Sequence, residues 1–235
     1  MARNDQRGVV VSLCDLTGHM VQPWVEAGYD AFLVDPQHGF TRTETMPNGA
    51  TITRFAGTIE DALPVIGKLI RSGCVAMVFG FPPCTHLAVS GAKHFKRKMT
   101  DKAWKHYQGP NMWIDAMRIV QECANVGQLS GAPWFLENPV SRIATLWRKP
   151  DHIFHPWEYT AYEPGDAYTK KTCLWVGGGF VMPAPAVDPD MPEPDDRIHK
   201  CPPGPERANI RSVTPMGFAR AVFHANHKPA MAAAA

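Results

Sequence analysis

The sequence predicts an α/β fold: a mainly parallel sheet with helices on both faces. Three observations carry that expectation. Short apolar runs alternate along the chain with stretches of helical spacing. The first two runs, at residues 8–13 and 30–34, are joined by a helix-length segment, as in a β-α-β unit. The chain has 235 residues and 45% apolar content, enough for one domain with a sizeable core.

Gly8-Val9-Val10-Val11-Ser12-Leu13 reads as a buried first strand. A helix is expected over residues 20–27 and is stopped by Gly28, because glycine tolerates the left-handed conformation that ends helices. Asp30-Ala31-Phe32-Leu33-Val34 reads as the second strand and closes with Asp35. An acid at that point of a β-α-β unit commonly meets the ribose of a nucleotide-like cofactor; a polar strand terminus is the plainer reading. The polar segment 37–51 holds a turn signal, Pro47-Asn48-Gly49. Ile59, Leu63, Ile66 and Ile70 give residues 59–71 helical spacing, despite Pro64. Val75-Ala76-Met77-Val78 is strand-like. Residues 111–126 form a strong helix with Met112, Ile114, Met117, Ile119 and Val120 as its apolar residues. Pro133-Trp134-Phe135-Leu136 and Thr172-Cys173-Leu174-Trp175-Val176 are short buried strands. Residues 183–205 are rich in proline and aspartate and too irregular for a domain. Residues 215–226 close the fold as a helix with proline in its first turn. A single domain is expected over 1–229, with a disordered tail at 230–235.

Composition excludes several classes. A formal charge of +2 does not announce nucleic-acid binding, so local clustering must carry that argument. No apolar run approaches the roughly 20 residues that span a membrane, and the polar N-terminus has no secretory apolar region. The six cysteines have no disulfide-like or paired spacing, as expected of a reduced, cytoplasmic protein. His199 with Cys201 offers two ligand types without a second pair, so no metal site is read.

The most informative stretch is Phe79-Gly80-Phe81-Pro82-Pro83-Cys84-Thr85-His86. Neither proline can donate to a sheet ladder, so the strand stops and Cys84 follows on a stiff loop at its carboxyl end. Ligands and chemistry gather there in open α/β sheets. A cysteine in that place is either a nucleophile or packing. A second strand end carries Glu137, in Glu137-Asn138-Pro139, where a carboxylate can also simply cap a loop. Together they suit thiolate addition to an electron-poor ring carbon with an acid supporting the ring nitrogen. A basic segment follows: Lys93, Lys96, Arg97, Lys98, Lys102 and Lys105, with Asp101 the one acid among them. A solvated face is the commoner fate of such a run; beside this loop, phosphate contact is the expectation.

These residues resemble the DNA (cytosine-5) methyltransferases, in the family's motif order, over roughly residues 8–226. Phe81-Pro82-Pro83-Cys84 looks like the nucleophile motif and Glu137-Asn138-Pro139 like the Glu-Asn-Val motif. Ser12-Leu13-Cys14-Asp15-Leu16-Thr17-Gly18 sits where the first cofactor loop should be, with Glu26-Ala27-Gly28-Tyr29 after it, and Asp35 matches the acid on the cofactor ribose. Tyr168-Thr169-Lys170-Lys171-Thr172 occupies the place of the Gln-x-Arg-x-Arg motif. Arg211-Ser212-Val213-Thr214-Pro215 resembles the last motif, which returns to the cofactor. Pro-Pro-Cys-Thr-His-Leu is similar to short, phage-encoded members.

The resemblance implies a Rossmann-like S-adenosylmethionine-dependent methyltransferase fold, acting on cytosine C5 in DNA as a monomer. Cys84, Glu137, Lys170 and Thr172 would form the catalytic set. Leu13, Cys14, Asp15, Thr17, Gly18, Asp35, Pro82 and Ser212 would bind S-adenosylmethionine. Ser90, Lys93, Lys96, Arg97 and Lys98 would meet DNA, with Ser90-Gly91-Ala92 giving a mobile lid. The target base must be flipped or already unpaired. The sequence also departs from the family. Cys14 and Leu16 replace the Phe and first Gly of the usual Phe-x-Gly-x-Gly, Thr58 stands near the third strand in place of an aspartate, and Lys170 and Thr172 replace two arginines. The loop 183–205 takes the place of a target-recognition domain, which implies a short or relaxed recognition sequence. Two alternatives remain: a C5-modifying enzyme of free cytidine nucleotides, and a catalytically silent DNA-binding relative.

Overall fold

A computed structural model describes residues 7–204 and 206–227; the tail expected at 230–235 lies outside the described residues. In chain order the elements are β1 (Val9–Leu13), α1 (Gln22–Glu26), β2 (Asp30–Val34), β3 (Arg42–Thr45), β4 (Thr51–Phe55), α2 (Ile59–Arg71), β5 (Val75–Gly80), α3 (Phe95–Thr100), α4 (Met112–Ser130), β6 (Trp134–Pro139), α5 (Ile143–Leu146), β7 (His152–Phe154), β8 (Thr172–Gly177), α6 (Arg197–Lys200), α7 (Arg207–Ser212) and α8 (Met216–Asn226).

The strands form one mixed sheet in the order β3-β4-β2-β1-β5-β6-β8-β7. Its centre, β4-β2-β1-β5-β6, is parallel. β3 runs antiparallel to β4, and β8 runs antiparallel to β6 and β7. β1 is buried along its whole length, which explains its run of β-branched valines. One face of the sheet is covered by Ile59, Ala62 and Ile66 of α2 with Val120 and Cys123 of α4. The other carries Trp24 and Val25 of α1 with Phe218 and Val222 of α8. Helices therefore lie on both faces, as the alternation of runs predicts.

Two helical expectations are corrected. Leu63 is 49% exposed and Ile114 is 70% exposed. At about 100° per residue, Leu63 falls beyond the edge of the stripe made by Ile59, Ala62 and Ile66. Ile114 falls on the face of α4 opposite Met112, Ala116, Val120 and Cys123. The turn signal at Pro47-Asn48-Gly49 joins a hairpin, with the Met46 amide donating to the Ala50 carbonyl at 2.8 Å. Its strands β3 and β4 are polar and half-buried or exposed, so period-two patterning does not reveal them.

The registers align Val34, Leu13, Gly80 and Leu136 across neighbouring strands. Asp35, Cys14 and Phe81 therefore leave the sheet side by side, level with Glu137 in β6, at strand spacings of about 4.8 Å. The strand order reverses at β1, where β2 continues to one side and β5 to the other, and ligands bind at such a switch point. Residues 183–196 run as an irregular strap. The Ala186 amide donates to the Glu158 carbonyl at 2.8 Å, the Tyr159 hydroxyl to the Pro183 carbonyl at 3.1 Å, and the Thr169 amide to the Asp195 carbonyl at 2.7 Å. Among the described residues no helix is long and apolar enough to cross a membrane.

Candidate active site

Two loops meet at the switch point. The Phe81 amide donates to the Leu13 carbonyl at 2.9 Å, so the end of β1 and the start of the Cys84 loop are tied together. Leu13 itself is fully buried, backbone included, and its carbonyl is taken by the Phe81 amide, so it offers a ligand no surface of its own. Cys14 adopts φ 57°, the left-handed region that disfavours side chains. Asp15 organises the turn that follows. Its Oδ1 accepts from the Thr17 and Gly18 amides at 3.1 and 2.8 Å, and its Oδ2 accepts from the Ser12 hydroxyl at 2.7 Å. Asp15 thus shapes the loop by drawing the Thr17 and Gly18 amides inward. A Cβ at Gly18 would lie 2.9 Å from Leu33 Cδ2 at a φ of 75°, so only glycine fits there. Asp35 is buried one strand away and accepts the Gln37 amide at 2.8 Å; burial raises its carboxyl above the usual range.

Cys84 lies partly buried beyond the Pro-Pro pair. Burial raises its thiol above the ordinary value, and the charge of Glu137 raises it further; Lys170 and Arg211 pull the other way. Glu137 sits in β6, and its carboxyl is raised by burial against the opposing pull of Lys170. Lys170 Nζ stands 4.0 Å from Glu137 Oε1, within ion-pair reach but beyond hydrogen-bond length. Glu137 Oε1 is therefore buried without a hydrogen-bond partner. Such atoms are rare and call for an explanation, and a ligand donor or acceptor is one. Asn138 binds the two motifs together, its Nδ2 donating to the Pro82 carbonyl at 2.8 Å. The chain after Cys84 also pairs with the chain after β6: the Val89 amide donates to the Val140 carbonyl at 3.0 Å and the Arg142 amide to the Leu87 carbonyl at 2.8 Å.

The structure thus gathers Cys84, Pro82, Glu137 and Lys170 at one place, with Cys14, Asp15, Thr17, Gly18 and Asp35 beside it. Three expectations need correction. Thr172 is buried and donates its hydroxyl to the Lys170 carbonyl at 2.9 Å, so it has no donor left for a base. Ser212 is exposed, and its hydroxyl is spent on the Asn209 carbonyl at 2.9 Å at the end of α7. Lys98 is turned inward, its Nζ donating to the Thr85 carbonyl at 2.8 Å, and it braces the cysteine loop instead of meeting phosphate. Ser90, Lys93, Lys96 and Arg97 are exposed, and Ser90 belongs to a 3-10 turn, Val89–His94.

Sequence reasoning missed two groups. Arg211 is close enough to influence Cys84, and its Nε is buried without a partner. The neighbouring Val213 carbonyl accepts from Lys170 Nζ at 3.3 Å, so this segment lines the Glu137 side of the site. The signal was available in Arg211-Ser212-Val213-Thr214-Pro215, where attention fell on the serine. His38 is buried beyond Asp35 with Nε2 unpartnered, and no local pattern marks it. No protein-family model matches this chain, and no curated protein matches it.

Proposed function

We propose that the chain is a DNA (cytosine-5) methyltransferase. The observation that carries this reading is the pairing of Cys84 with Glu137 at adjacent strand ends. Glu137 is largely covered, with its Oε1 buried and unpartnered, and desolvation pushes it toward its acid form. That state is needed to donate to a ring nitrogen, and it is costly to maintain for packing alone. The doubly wound order of the parallel strands supports a cofactor at the switch point. Gly18, which has no room for a side chain, and the buried Asp35 fit the ribose end of S-adenosylmethionine. When bound there, S-adenosylmethionine supplies an electrophilic methyl group.

The residues then divide the work. The Cys84 thiolate adds to C6 of cytosine while Glu137 donates its proton toward N3, which neutralises the charge developing on the ring. C5, made electron-rich by the adduct, would be open to the cofactor's methyl group, the donor leaving as the neutral thioether. Loss of the C5 proton and return of the N3 proton to Glu137 would then restore the ring as the Cys84–C6 bond breaks. Lys170 and Arg211 place positive charge beside the thiolate, and Arg211 has a donor free for the substrate.

The test is incubation of the purified chain with labelled S-adenosylmethionine and either DNA or dCMP, followed by nucleoside mass spectrometry. Label in 5-methylcytosine from DNA, lost in Cys84→Ala, is expected. Label in dCMP alone moves the reading to a nucleotide enzyme. No label in either substrate overturns it.

A further inference from the structure

The segment after the Cys84 loop carries a feature that methyl transfer does not use. The Trp104 ring lies 5.7 Å from the His94 ring, tilted 38° to it, and 5.2 Å from the His106 ring, edge to face at 82°. The Arg97 guanidinium covers the indole at 4.8 Å. These groups are held in place. The Trp104 amide donates to the Asp101 carbonyl at 3.0 Å, the Tyr107 amide to the Trp104 carbonyl at 2.9 Å, and the Gln108 amide to the Lys98 carbonyl at 2.8 Å. Arg97 Nε is fixed on Asp101 Oδ2 at 2.9 Å. The core aromatics Trp24, Phe79 and Trp175 are fully covered; here His94 and His106 are exposed and Trp104 is half-buried. Exposed Lys93, Lys96, Lys102 and Lys105 surround the rings, and the one acid of the segment is spent on Arg97. The helix that carries Arg97 also sends Lys98 to the Thr85 carbonyl, so one element holds both the rings and the cysteine loop.

We propose that this aromatic and cationic cluster binds an unpaired DNA strand beside the cytosine being modified, so that single-stranded DNA is preferred over duplex. Bases of the strand stack singly on the differently inclined rings of Trp104, His94 and His106, and its phosphates meet Lys93, Lys96, Lys102 and Lys105. In a duplex the faces of the bases are covered by their neighbours, so only an unpaired base gains from a stacking surface. A cationic face without rings would serve both forms through phosphate alone. The inference rests on the reading of this chain as acting on cytosine in DNA.

The test is fluorescence anisotropy of the full chain carrying Cys84→Ala, with a labelled oligothymidylate containing one cytosine, alone or annealed to its complement. The single strand is expected to bind more tightly than the duplex. Trp104→Ala should weaken single-strand binding about tenfold or more, with duplex binding unchanged, and Trp104→Phe should keep most of the affinity. Where Trp104→Ala does not fold, His106→Ala probes the same surface through an exposed side chain and should weaken single-strand binding alone. Tighter duplex binding, an equal loss on both forms, or no loss overturns the proposal. Binding is read without methyl transfer: Trp104-dependent strand binding without 5-methylcytosine formation refutes the chemistry and keeps the strand-binding cluster, and the converse refutes the cluster alone.

Discussion

Addition to the ring needs Cys84 as thiolate and Glu137 as acid. A thiol starts above a carboxyl, and burial together with the Glu137 charge moves the Cys84 thiol higher still. Burial also raises Glu137, but from the lower starting value. The reacting form is therefore the one in which the pair has lost one of its two protons. Activity should therefore rise as the pair loses its first proton and fall as it loses its second, giving a bell in kcat/KM whose limbs belong to the pair. Glu137→Gln cannot ionise and cannot donate an acidic proton. Its turnover should drop by about 10²- to 10⁴-fold, and its falling alkaline limb should vanish, leaving a single rise with thiolate formation. A variant that keeps the full bell would remove Glu137 from the reaction.

The strand ends deliver these side chains through tight contacts between elements. A Cβ at Gly80, the last residue of β5, would lie 2.5 Å from Leu136 Cδ2 and 3.0 Å from Cys123 Cβ. Gly80→Ala should therefore force β6 or α4 to shift and cost about 1–3 kcal/mol. Leu136→Val removes the offending methyl group, so the double variant should recover part of the loss in denaturant midpoint. Additive losses would place the strain elsewhere. Contacts of this kind also show why only part of the molecule is legible in the sequence. The apolar strands β1, β2, β5, β6 and β8 announce themselves because they are buried. The polar strands β3 and β4 owe their pairing to a neighbour and a turn, so composition hides them. The same division holds in the site. Cys84 and Glu137 carry local motifs, whereas Thr172, Ser212 and Lys98 differ from expectation because each spends its donor on a nearby carbonyl. A motif fixes the residue type but not the competing local bond. Arg211 reaches Cys84 only once the chain has folded back across the sheet, which no sequence spacing encodes.

Across the whole molecule, the carboxyl edge of the sheet is where stability is given up. Asp35 is buried there and Glu137 largely covered, and both are raised by desolvation. The sign follows from linkage. A carboxyl raised in the folded state holds its proton when the unfolded chain has already lost it, so the folded state binds more protons and stability falls as pH rises. The contribution is fully present below the unfolded carboxyl value, near 4, and is lost as pH rises through the raised folded value. Asp35→Asn keeps a side-chain carbonyl for the Gln37 amide, and Glu137→Gln keeps the shape; neither can ionise. The difference in unfolding free energy between the double variant and the parent chain should therefore shift toward the variant as pH rises from about 4 to 8. Urea unfolding at several pH values measures it. A difference that stays flat would mean that both acids ionise in the folded protein as they do in water, and that the carboxyl edge carries no such cost. A shift in the variant's favour would show the fold keeping, at the one edge where ligands enter, two acids that it would be more stable without.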